Sequence, residues 1–481
     1  MNNTFIADDT SAHDEWPVIP IEQVAEINPR VDKSAIPDDL PVSFVPMSAV
    51  GAGDGTIRVD ETRLALEVKK GFTAFLEGDV LFAKITPCME NGKMAVVPKI
   101  VNGYGFGSTE FHVLRPKSGM DAKYLYYYVS SQSFRAKAER NMTGAVGQRR
   151  VPAPYLKECT IPVAPLDQQK RIVAEIEKQF SRLDEAVANL KRVKANLKRY
   201  KAAVLKAAVE GRLVETEAER AHREGRRFET GEQLLQRILE TRRSQWNGKS
   251  KYKEPAAPGT SDLPELPEGW VWATVEQLSY VNVGYAFKSS QFEAEGVRLL
   301  RGENIEPGRL RWEDTRYWPV EKVEGYRSLL VQEGEIILAM DRPIVTAGLK
   351  LARASHADLP CLLVQRMARM RCINREMEGY LYVAMQTQRF VRHLLGGQTG
   401  TQLPHISGSG IASFVLPLPS MVEQHHIVAE VDRRITLLSE TEAQVDTNLQ
   451  RAKSLRQTIL MRVFSGLLVK HLSPSKMIAT S

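Results

Sequence analysis

The chain has 481 residues, more than a single hydrophobic core usually organises, so at least two domains are expected. Hydrophobic residues make up 43% and charged residues 26%, which excludes an intrinsically disordered chain. A net charge of +7 favours a polyanionic partner. No apolar stretch is long enough for a membrane span, and the acidic start lacks the order of a signal peptide, so a cytoplasmic location is expected.

The first third of the chain alternates short apolar runs with turn residues, which predicts a mixed α/β domain. We expect strands at 42–47, 79–85, 94–99 and 110–115, one helix at 121–140 and a closing strand at 159–163. A proline-rich boundary follows, and Asp167 is a candidate helix cap.

From 167 to 210 apolar residues recur every three or four positions without an interrupting Pro or Gly, which predicts one long helix. Its stripe is Ile176, Phe180, Leu183, Val187, Leu190, Val193, Leu197, Tyr200 and Val204. The segment 167–212 carries twelve Lys or Arg against six Asp or Glu. This basic surface is either a solvated face or a contact for phosphate or an acidic partner.

Residues 215–264 are rich in charge and proline, which is typical of a linker. They include one amphipathic helix at 231–246, opened by Thr230 and Gln233. A second mixed α/β domain is then expected, with strands at 297–301, 335–340, 348–354 and 365–373, a helix at 375–395 and a strand at 412–416.

A second long helix is expected from 421, where Ser420 and Glu423 have the spacing of a capping box. Gly466 is the expected left-handed stop, and a disordered tail at 471–481 follows. The stripe of this helix is Ile427, Val431, Ile435, Leu438, Val445, Leu449, Leu455 and Ile459. Neither stripe can be buried inside a small domain, so the two helices are expected to pack on each other, although two broken helices folded into a bundle are an alternative.

The two halves of the sequence match at a nearly constant shift of 254 to 256 residues, which indicates duplication of a whole module. Segments of the first half that match the second are Trp16 with Trp270, 21–24 with 275–278, 77–81 with 333–337, 124–126 with 380–382, 143–144 with 399–400, and 172–175 with 427–430.

Several local patterns suggest chemistry but lack the context that it needs. A glycine run at 103–107 is followed by strand-like alternation rather than by a helix, and 248–250 lacks the first glycine of a phosphate loop. His425 and His426 lack further ligands at zinc-protease spacing, and the four cysteines form no Cys-x-x-Cys pair. With no methylase or nuclease motif, we expect neither a metal nor catalysis in this chain.

The chain resembles the specificity subunits of type I restriction-modification systems over nearly its whole length. The resemblance is carried by 269–278, by Glu77-Gly78-Asp79-Val80-Leu81, and by Pro417-Leu418-Pro419 leading into Glu423-Gln424 and a long helix. The first half departs slightly, with Gln168-Gln169 in place of the Glu-Gln pair.

This resemblance implies an α+β fold: two similar mixed α/β target recognition domains separated by two long helices that pack as an antiparallel coiled coil. The expected segments are 1–166 (first recognition domain), 167–214 (first spacer helix), 215–264 (linker), 265–420 (second recognition domain) and 421–470 (second spacer helix). The family reads a two-part sequence of double-stranded DNA. It works with two methylation subunits and with restriction subunits, and S-adenosylmethionine, ATP and Mg²⁺ serve those partners rather than this chain.

Base reading is expected from loop residues that carry hydrogen-bond donors. Candidates in the two halves are Lys84, Lys93, Ser108, Thr143, Gln148, Arg149 and Arg150, and Arg301, Asn304, Arg342, Gln398, Thr399, Gln402 and His405. Alternative functions are a self-sufficient DNA-modifying enzyme, the DNA-reading adaptor of a methylation-only or other defence system, and a scaffold whose coiled coil binds only proteins.

Overall fold

The computed structural model describes residues 16–248, 251–396 and 406–464. The chain forms two compact units: unit 1 is Met1–Lys191 with Asp446–Ser481, and unit 2 is Arg192–Val445. Each unit therefore contains part of both long helices. No helix in the described ranges is both long enough and apolar enough to cross a bilayer.

Unit 1 contains two four-stranded sheets and one strand pair. The strands are β1 Val18–Pro20, β2 Ala25–Ile27, β3 Pro41–Val45, β4 Thr62–Leu64, β5 Thr73–Leu76, β6 Val80–Ala83, β7 Met94–Val96, β8 Tyr104–Gly107, β9 Phe111–Pro116 and β10 Thr160–Pro162. The central sheet has the antiparallel order β2-β9-β6-β7, and the second has the order β4-β3-β8-β5 with β3 and β8 parallel. β1 pairs with β10, which closes the module.

The helices of unit 1 are α1 Ile21–Val24, α2 Ala65–Val68, α3 Ala122–Ser130, α4 Gln132–Arg140 and α5 Ala153–Glu158, followed by the start of the long helix α6 Leu166–Val209. Strand β6 is buried on both faces: Val80 and Phe82 join the core under α3 and α4, whereas Leu81 and Ala83 face the second sheet. Alternating side chains thus contribute to two different cores.

Unit 2 repeats this architecture. Helices α7 Glu217–Glu224 and α8 Gly231–Ser244 come first. The strands are β11 Val271–Thr274, β12 Ser279–Val283, β13 Val297–Leu300, β14 Ile305–Glu306, β15 Arg309–Leu310, β16 Tyr317–Trp318, β17 Ile336–Ala339, β18 Ile344–Val345, β19 Gly348–Leu349, β20 Leu351–Arg353, β21 Cys361–Leu363, β22 Met367–Cys372 and β23 Val415–Leu418. The remaining helices are α9 Val275–Leu278, α10 Glu378–Met385, α11 Gln388–Leu394, α12 Gly408–Ala412 and α13 Met421–Phe464.

The sheet orders confirm the duplication. The order β12-β22-β17-β20 reproduces β2-β9-β6-β7, the parallel pair β13 and β21 reproduces β3 and β8, and β11 with β23 reproduces β1 with β10. The 3-10 helix Val320–Leu329, and the small pairs β14-β15 and β18-β19, are additions of unit 2 to this common plan.

Equivalent side chains make equivalent contacts in the two units. Arg115 binds the buried Asp79 carboxylate through two bonds of 2.8 and 2.7 Å, and Arg371 binds Glu335 at the matching position. The Tyr124 hydroxyl donates to the Pro162 carbonyl at 2.8 Å, and that of Tyr380 donates to Pro417 at 2.9 Å. The duplication therefore extends to individual buried hydrogen bonds.

Helices α6 and α13 each contain 44 residues without a break, or about 65 Å at 1.5 Å per residue. In unit 2, Lys194 lies 3.8 Å from Glu442, and the Arg434 guanidinium donates to the Tyr200 hydroxyl at 3.4 Å. Because position along α6 rises as position along α13 falls, the helices are antiparallel. In unit 1, Arg456 binds Asp184 at 2.9 Å. The predicted pairing of unbroken helices is confirmed.

Several predicted details were wrong. The single helices expected at 121–140 and 375–395 are each two helices, because the hydroxyls of Ser131 and Thr387 accept the Phe134 and Phe390 amides and begin a new helix. Leu455 is 49% exposed, and Ala452 occupies the buried face instead. The last strand of unit 2 begins at Val415, since Ala412 ends α12. Gly466 and the tail lie outside the described residues.

The segment 215–264, expected to be a linker, contributes to the core of unit 2. Leu234, Leu235 and Ile238 of α8 are buried in the same core as Leu418. Gly231 packs so closely that a Cβ atom there would lie 2.1 Å from the Leu418 carbonyl oxygen. Thr230 and Gln233 form the expected capping box. The amphipathic pattern of α8 is therefore a packing face within the unit.

A pair of buried acids joins α7 to the start of α13 in unit 2. Glu423 is 2% exposed and Glu217 is 3% exposed. One oxygen of Glu423 accepts the Trp270 indole N–H at 3.1 Å and the Glu217 amide at 3.2 Å. The other oxygen of Glu423 and one oxygen of Glu217 have no partner among the described residues. Burial raises the pKa of Glu423 to about 7, helped by the charges of Glu217 and Glu219.

This arrangement predicts that unit 2 loses stability as pH rises. Since the folded pKa of Glu423 is about 7 against 4.5 for the ordinary group, its folded form holds the proton more tightly. The free energy of unfolding should fall as pH rises from about 4.5 and level off above 7, a loss on the order of 2 to 3 kcal/mol. Glu423→Gln should remove this loss, as measured by urea unfolding between pH 5 and 8.5.

Glu440→Gln is the matched control, because Glu440 is an exposed residue of the same helix. It should keep the pH dependence of the native chain. A Glu423→Gln variant that is less stable than the native chain at pH 8 would contradict this account.

Candidate nucleic-acid interface

A hairpin at 143–150 projects from unit 1. Thr143 and Arg150 exchange backbone hydrogen bonds of 2.9 and 2.8 Å at its base. Gly144 and Gly147 have φ angles of +119° and +80°, which L side chains rarely adopt, and allow the tight tip. Val146 at the tip is fully exposed. The hairpin therefore presents its polar side chains on a closed loop with little cover.

The base of this hairpin is fixed to the central sheet. The Arg149 carbonyl accepts the Thr86 amide at 3.0 Å, and the Val151 amide donates to the Lys84 carbonyl at 2.9 Å. The Lys84 amide in turn donates to the Glu110 carbonyl at 2.9 Å. Three regions that are far apart in sequence, around 84, 110 and 149, thus meet at one edge of unit 1.

Arg150 is held by an ion pair rather than free to read a base. Its guanidinium donates two bonds to the Glu110 carboxylate, of 2.9 and 2.8 Å, and one to the Gln148 carbonyl at 3.0 Å. The hydrogen bonds and charge of Arg150 lower the pKa of Glu110, which stays ionised at neutral pH. The Arg150 side chain is therefore committed to Glu110 and Gln148 in this structure.

Two further candidates of unit 1 are committed to the fold. The Lys93 ammonium donates to the Met47 carbonyl at 3.0 Å. At the equivalent place in unit 2, the Lys350 ammonium donates to the Gly302 carbonyl. Ser108 accepts the Glu110 amide at 3.2 Å. Within the described ranges the side chains of four candidates make no hydrogen bond or ion pair: Lys84, Thr143, Gln148 and Arg149. These four are the free polar groups of the hairpin edge.

In unit 2 the structure corrects two candidates. Asn304 is 1% exposed, and its amide group bonds the Arg301 N–H at 3.1 Å and the Arg311 carbonyl at 3.0 Å. A side chain buried in this way stabilises a turn and does not reach a ligand. Arg301 pairs with Glu303 and donates to the Asp314 carbonyl, with 20% of its side chain exposed. Both residues support the fold.

Arg342 remains a candidate of unit 2. It is exposed, has a φ of +46°, and its guanidinium makes no hydrogen bond or ion pair within 16–248, 251–396 and 406–464. Gln398, Thr399, Gln402 and His405 lie outside the described residues. They belong to the segment that matches the unit 1 hairpin: the Ile406 amide donates to the Met340 carbonyl at 3.2 Å, as Val151 does to Lys84.

Two further exposed residues at this edge of unit 2 were not among the candidates predicted from the sequence. Arg366 has a φ of +63° and pairs with Asp341 at 2.8 Å. Tyr285 is 48% exposed, and its carbonyl accepts the amide of Gln365, the neighbour of Arg366, at 2.8 Å. The shift of 256 could have found Arg366, because it aligns this residue with Glu110.

The glycine run and the histidine pair lie among ordinary contacts of the fold, whereas residues 249 and 250 of the segment 248–250 lie outside the described residues. Gly105 and Gly107 lie in β8, where a Cβ on Gly105 would lie 2.1 Å from the Phe75 ring. His426 contacts the Arg220 guanidinium at 3.0 Å, and His425 lies 4.0 Å from Glu376. Within the described ranges no three His, Cys, Asp or Glu side chains are grouped as metal ligands. All four cysteines are free.

Comparisons with known proteins agree with this architecture. Residues 13–199 match the family described as "Type I restriction modification DNA specificity domain". The EcoAI specificity subunit of Escherichia coli is 32% identical over 460 residues, which cover 88% of this chain and 78% of that protein. The EcoEI specificity subunit, also from Escherichia coli, is 24% identical over 471 residues, which cover 87% and 77%.

Solved structures show the same fold. A chain from a study titled "Structural basis underlying complex assembly and conformational transition of the type I R-M system" superposes with a TM-score of 0.65, at 19% identity, over 94% of this chain and 98% of that one. The HsdS subunit of Thermoanaerobacter tengcongensis gives a TM-score of 0.56 at 18% identity, over 94% and 97%. The duplicated α/β units, the two long helices and the similarity along most of the sequence lead to one conclusion: this chain belongs to the family of type I restriction enzyme specificity subunits.

Proposed function

We propose that this chain reads a bipartite target in double-stranded DNA, one half with each unit, and directs partner subunits to methylate adenine N6 or to cut. The observation that carries the proposal is a common framework with different loops. Buried contacts recur in both units, yet the hairpin 143–150 and its match at 399–405 differ in sequence and in length by one residue. Two domains that recognise different DNA sequences need the same framework with different loops.

The free groups of the hairpin suit the major groove. A guanidinium such as that of Arg149 can donate two bonds to O6 and N7 of guanine, and an amide such as that of Gln148 can pair with N6 and N7 of adenine. Lys84 can bind a phosphate, which would position the unit without reading sequence. In unit 2, Arg342 supplies a guanidinium group at the equivalent edge.

The chemistry in this proposal belongs to the partners. Two methylation subunits would supply S-adenosylmethionine and the methyl transfer, and restriction subunits would supply ATP-driven translocation and cleavage with Mg²⁺. This chain, in the cytoplasm, would bind DNA and orient these partners. The two long helices would present their surface to the partners, in accord with the basic charge of 167–212.

The primary experiment compares the methylomes of cells with and without this chain. Loss of one bipartite adenine motif on deletion is the expected result. An unchanged methylome would refute a role in methylation and favour a protein-only scaffold. Methylation by the purified chain alone would instead support a self-sufficient enzyme. If the motif is lost but no DNA cleavage accompanies the intact system, the chain is the adaptor of a methylation-only system.

The continuous helices predict that their length sets the spacer between the two half-sequences. Inserting four helix-forming residues near the middle of both α6 and α13 adds about 6 Å, close to two base pairs of DNA rise. Four residues are also close to a full turn, so the apolar stripe stays nearly in phase. The methylated motif should gain about two spacer base pairs while both half-sequences stay the same.

The control for this insertion is four residues placed after Gly259, an exposed position with open space around it. The motif should then be unchanged. Altered half-sequences in the helix variant, or an unaltered spacer, would argue against the long helices as the measure of spacing.

The modular architecture predicts that exchanging residues 20–160 for those of a family member with another specificity changes one half-sequence only. The strands β2 to β9 and the hairpin lie inside this range, whereas unit 2 is left intact. Methylome sequencing of cells with the hybrid chain is the measurement. Simultaneous change of both half-sequences would contradict independent reading.

A further inference from the structure

The hairpin 143–150 has few contacts of its own to hold its shape. Its backbone is closed by the exchange between Thr143 and Arg150 and by a turn bond from the Gln148 amide to the Ala145 carbonyl at 2.9 Å. Two glycines with positive φ give the tip a wide choice of conformations once these contacts loosen. The contacts that orient the Gln148 and Arg149 side chains must therefore come from outside the tip.

The side chain of Arg150 supplies that contact. It bridges Glu110, which precedes β9, to the carbonyl of Gln148 inside the hairpin. The peptide between Gln148 and Arg149 is thus tied on one side by Arg150, and the Arg149 carbonyl is tied on the other by the amide and hydroxyl of Thr86, at 3.0 and 3.2 Å. The Arg149 side chain leaves the backbone between these two anchors, and the Gln148 side chain leaves it directly before the first.

The second copy has an ion pair at the same edge with its charges arranged differently. Arg366 takes the place of Glu110, and its partner Asp341 takes the place of Ile85. The carboxylate and the guanidinium therefore lie on other segments in unit 2 than in unit 1. The ion pair at this edge therefore differs between the two units, as do the sequences of the hairpin 143–150 and of its match at 399–405.

We propose that Glu110 and Arg150 form a positioning pair, which fixes the backbone at Gln148 and Arg149 so that these two side chains read bases, while Arg150 itself contacts none. This inference rests on the proposed function of the chain. A bidentate Arg–carboxylate pair supplies geometry as well as energy. A pair that is still partly open to solvent adds little to global stability, so the consequence of losing it lies in the precision of the reading site.

The test is a double-mutant cycle in the native host, with Glu110→Gln, Arg150→Gln and the double variant each replacing the chain. The measurement is the ratio of methylation at matched sites to methylation at sites with one mismatch. A positioning pair predicts that all three variants lose the same factor, about tenfold, in one half of the motif only. Glu61→Gln is the control, because Glu61 pairs with Arg63 at 2.7 Å elsewhere in unit 1, and it should leave the motif unchanged.

Two outcomes overturn the proposal. If Arg150 contacts a base directly, Arg150→Gln loses far more than Glu110→Gln and the two losses add. If no variant changes the motif, the hairpin needs no such support. Thermal unfolding of the same purified chains shows that they are folded, and the unaltered second half-sequence is the internal standard. Deletion of the whole chain distinguishes failure of the proposed function from failure of the positioning pair. An unchanged methylome on deletion refutes the proposed function. A motif that is lost on deletion but unaffected by the variants refutes only the positioning pair.

Discussion

The apolar stripes of the two long helices constrain the rest of the structure. Ile172 and Ile176 of α6 share the unit 1 core with Leu460 and Val463 of α13, and Val204 of α6 shares the unit 2 core with Ile427. The Phe464 ring packs edge-on against Tyr124 and Tyr128, with centroids 5.4 and 5.2 Å away. Each unit therefore needs residues from both copies of the duplication, and neither copy contains a complete core by itself.

A second constraint is the buried framework common to both units. Asp79 and Glu335 are almost fully buried, and each is balanced by an arginine from the neighbouring strand. Such pairs lose much of their stabilisation if either partner is removed, because a buried charge would remain uncompensated. The hairpin 143–150 has no such buried ion pair at its tip: Val146 is exposed, and the Arg149 guanidinium has no partner among the described residues. The fold thus allows the hairpin to vary in sequence while the buried framework stays the same.

The two units are not identical in how their long helices begin. Glu423 at the start of α13 is covered by α7 and Trp270, whereas the matching position in α6 is Gln168. The segment between the two copies supplies this cover, so what resembles a linker in composition is a structural part of unit 2. This cover buries Glu423 beside Glu217, and one oxygen of each carboxyl group lacks a partner in the part of the chain that the structure describes.

Much of this protein is determined by local sequence. The spacing of apolar residues predicted both long helices, because neighbouring residues carry that periodicity. The shift of 254 to 256 residues predicted the duplication, because matching segments recur in the same order. Only the tertiary structure decided which charged loop residues are free. Arg149 and Arg150 are adjacent and alike in sequence. Arg149 nevertheless has no partner in the part of the chain that the structure describes, whereas Arg150 is bound to Glu110, 40 residues away. Likewise, Asn304 reads as a loop amide but is buried by contacts with Arg301 and Arg311. Whether a polar group makes its hydrogen bonds within the fold or stays available to a ligand depends on partners that are distant in sequence. Only folding brings those partners together.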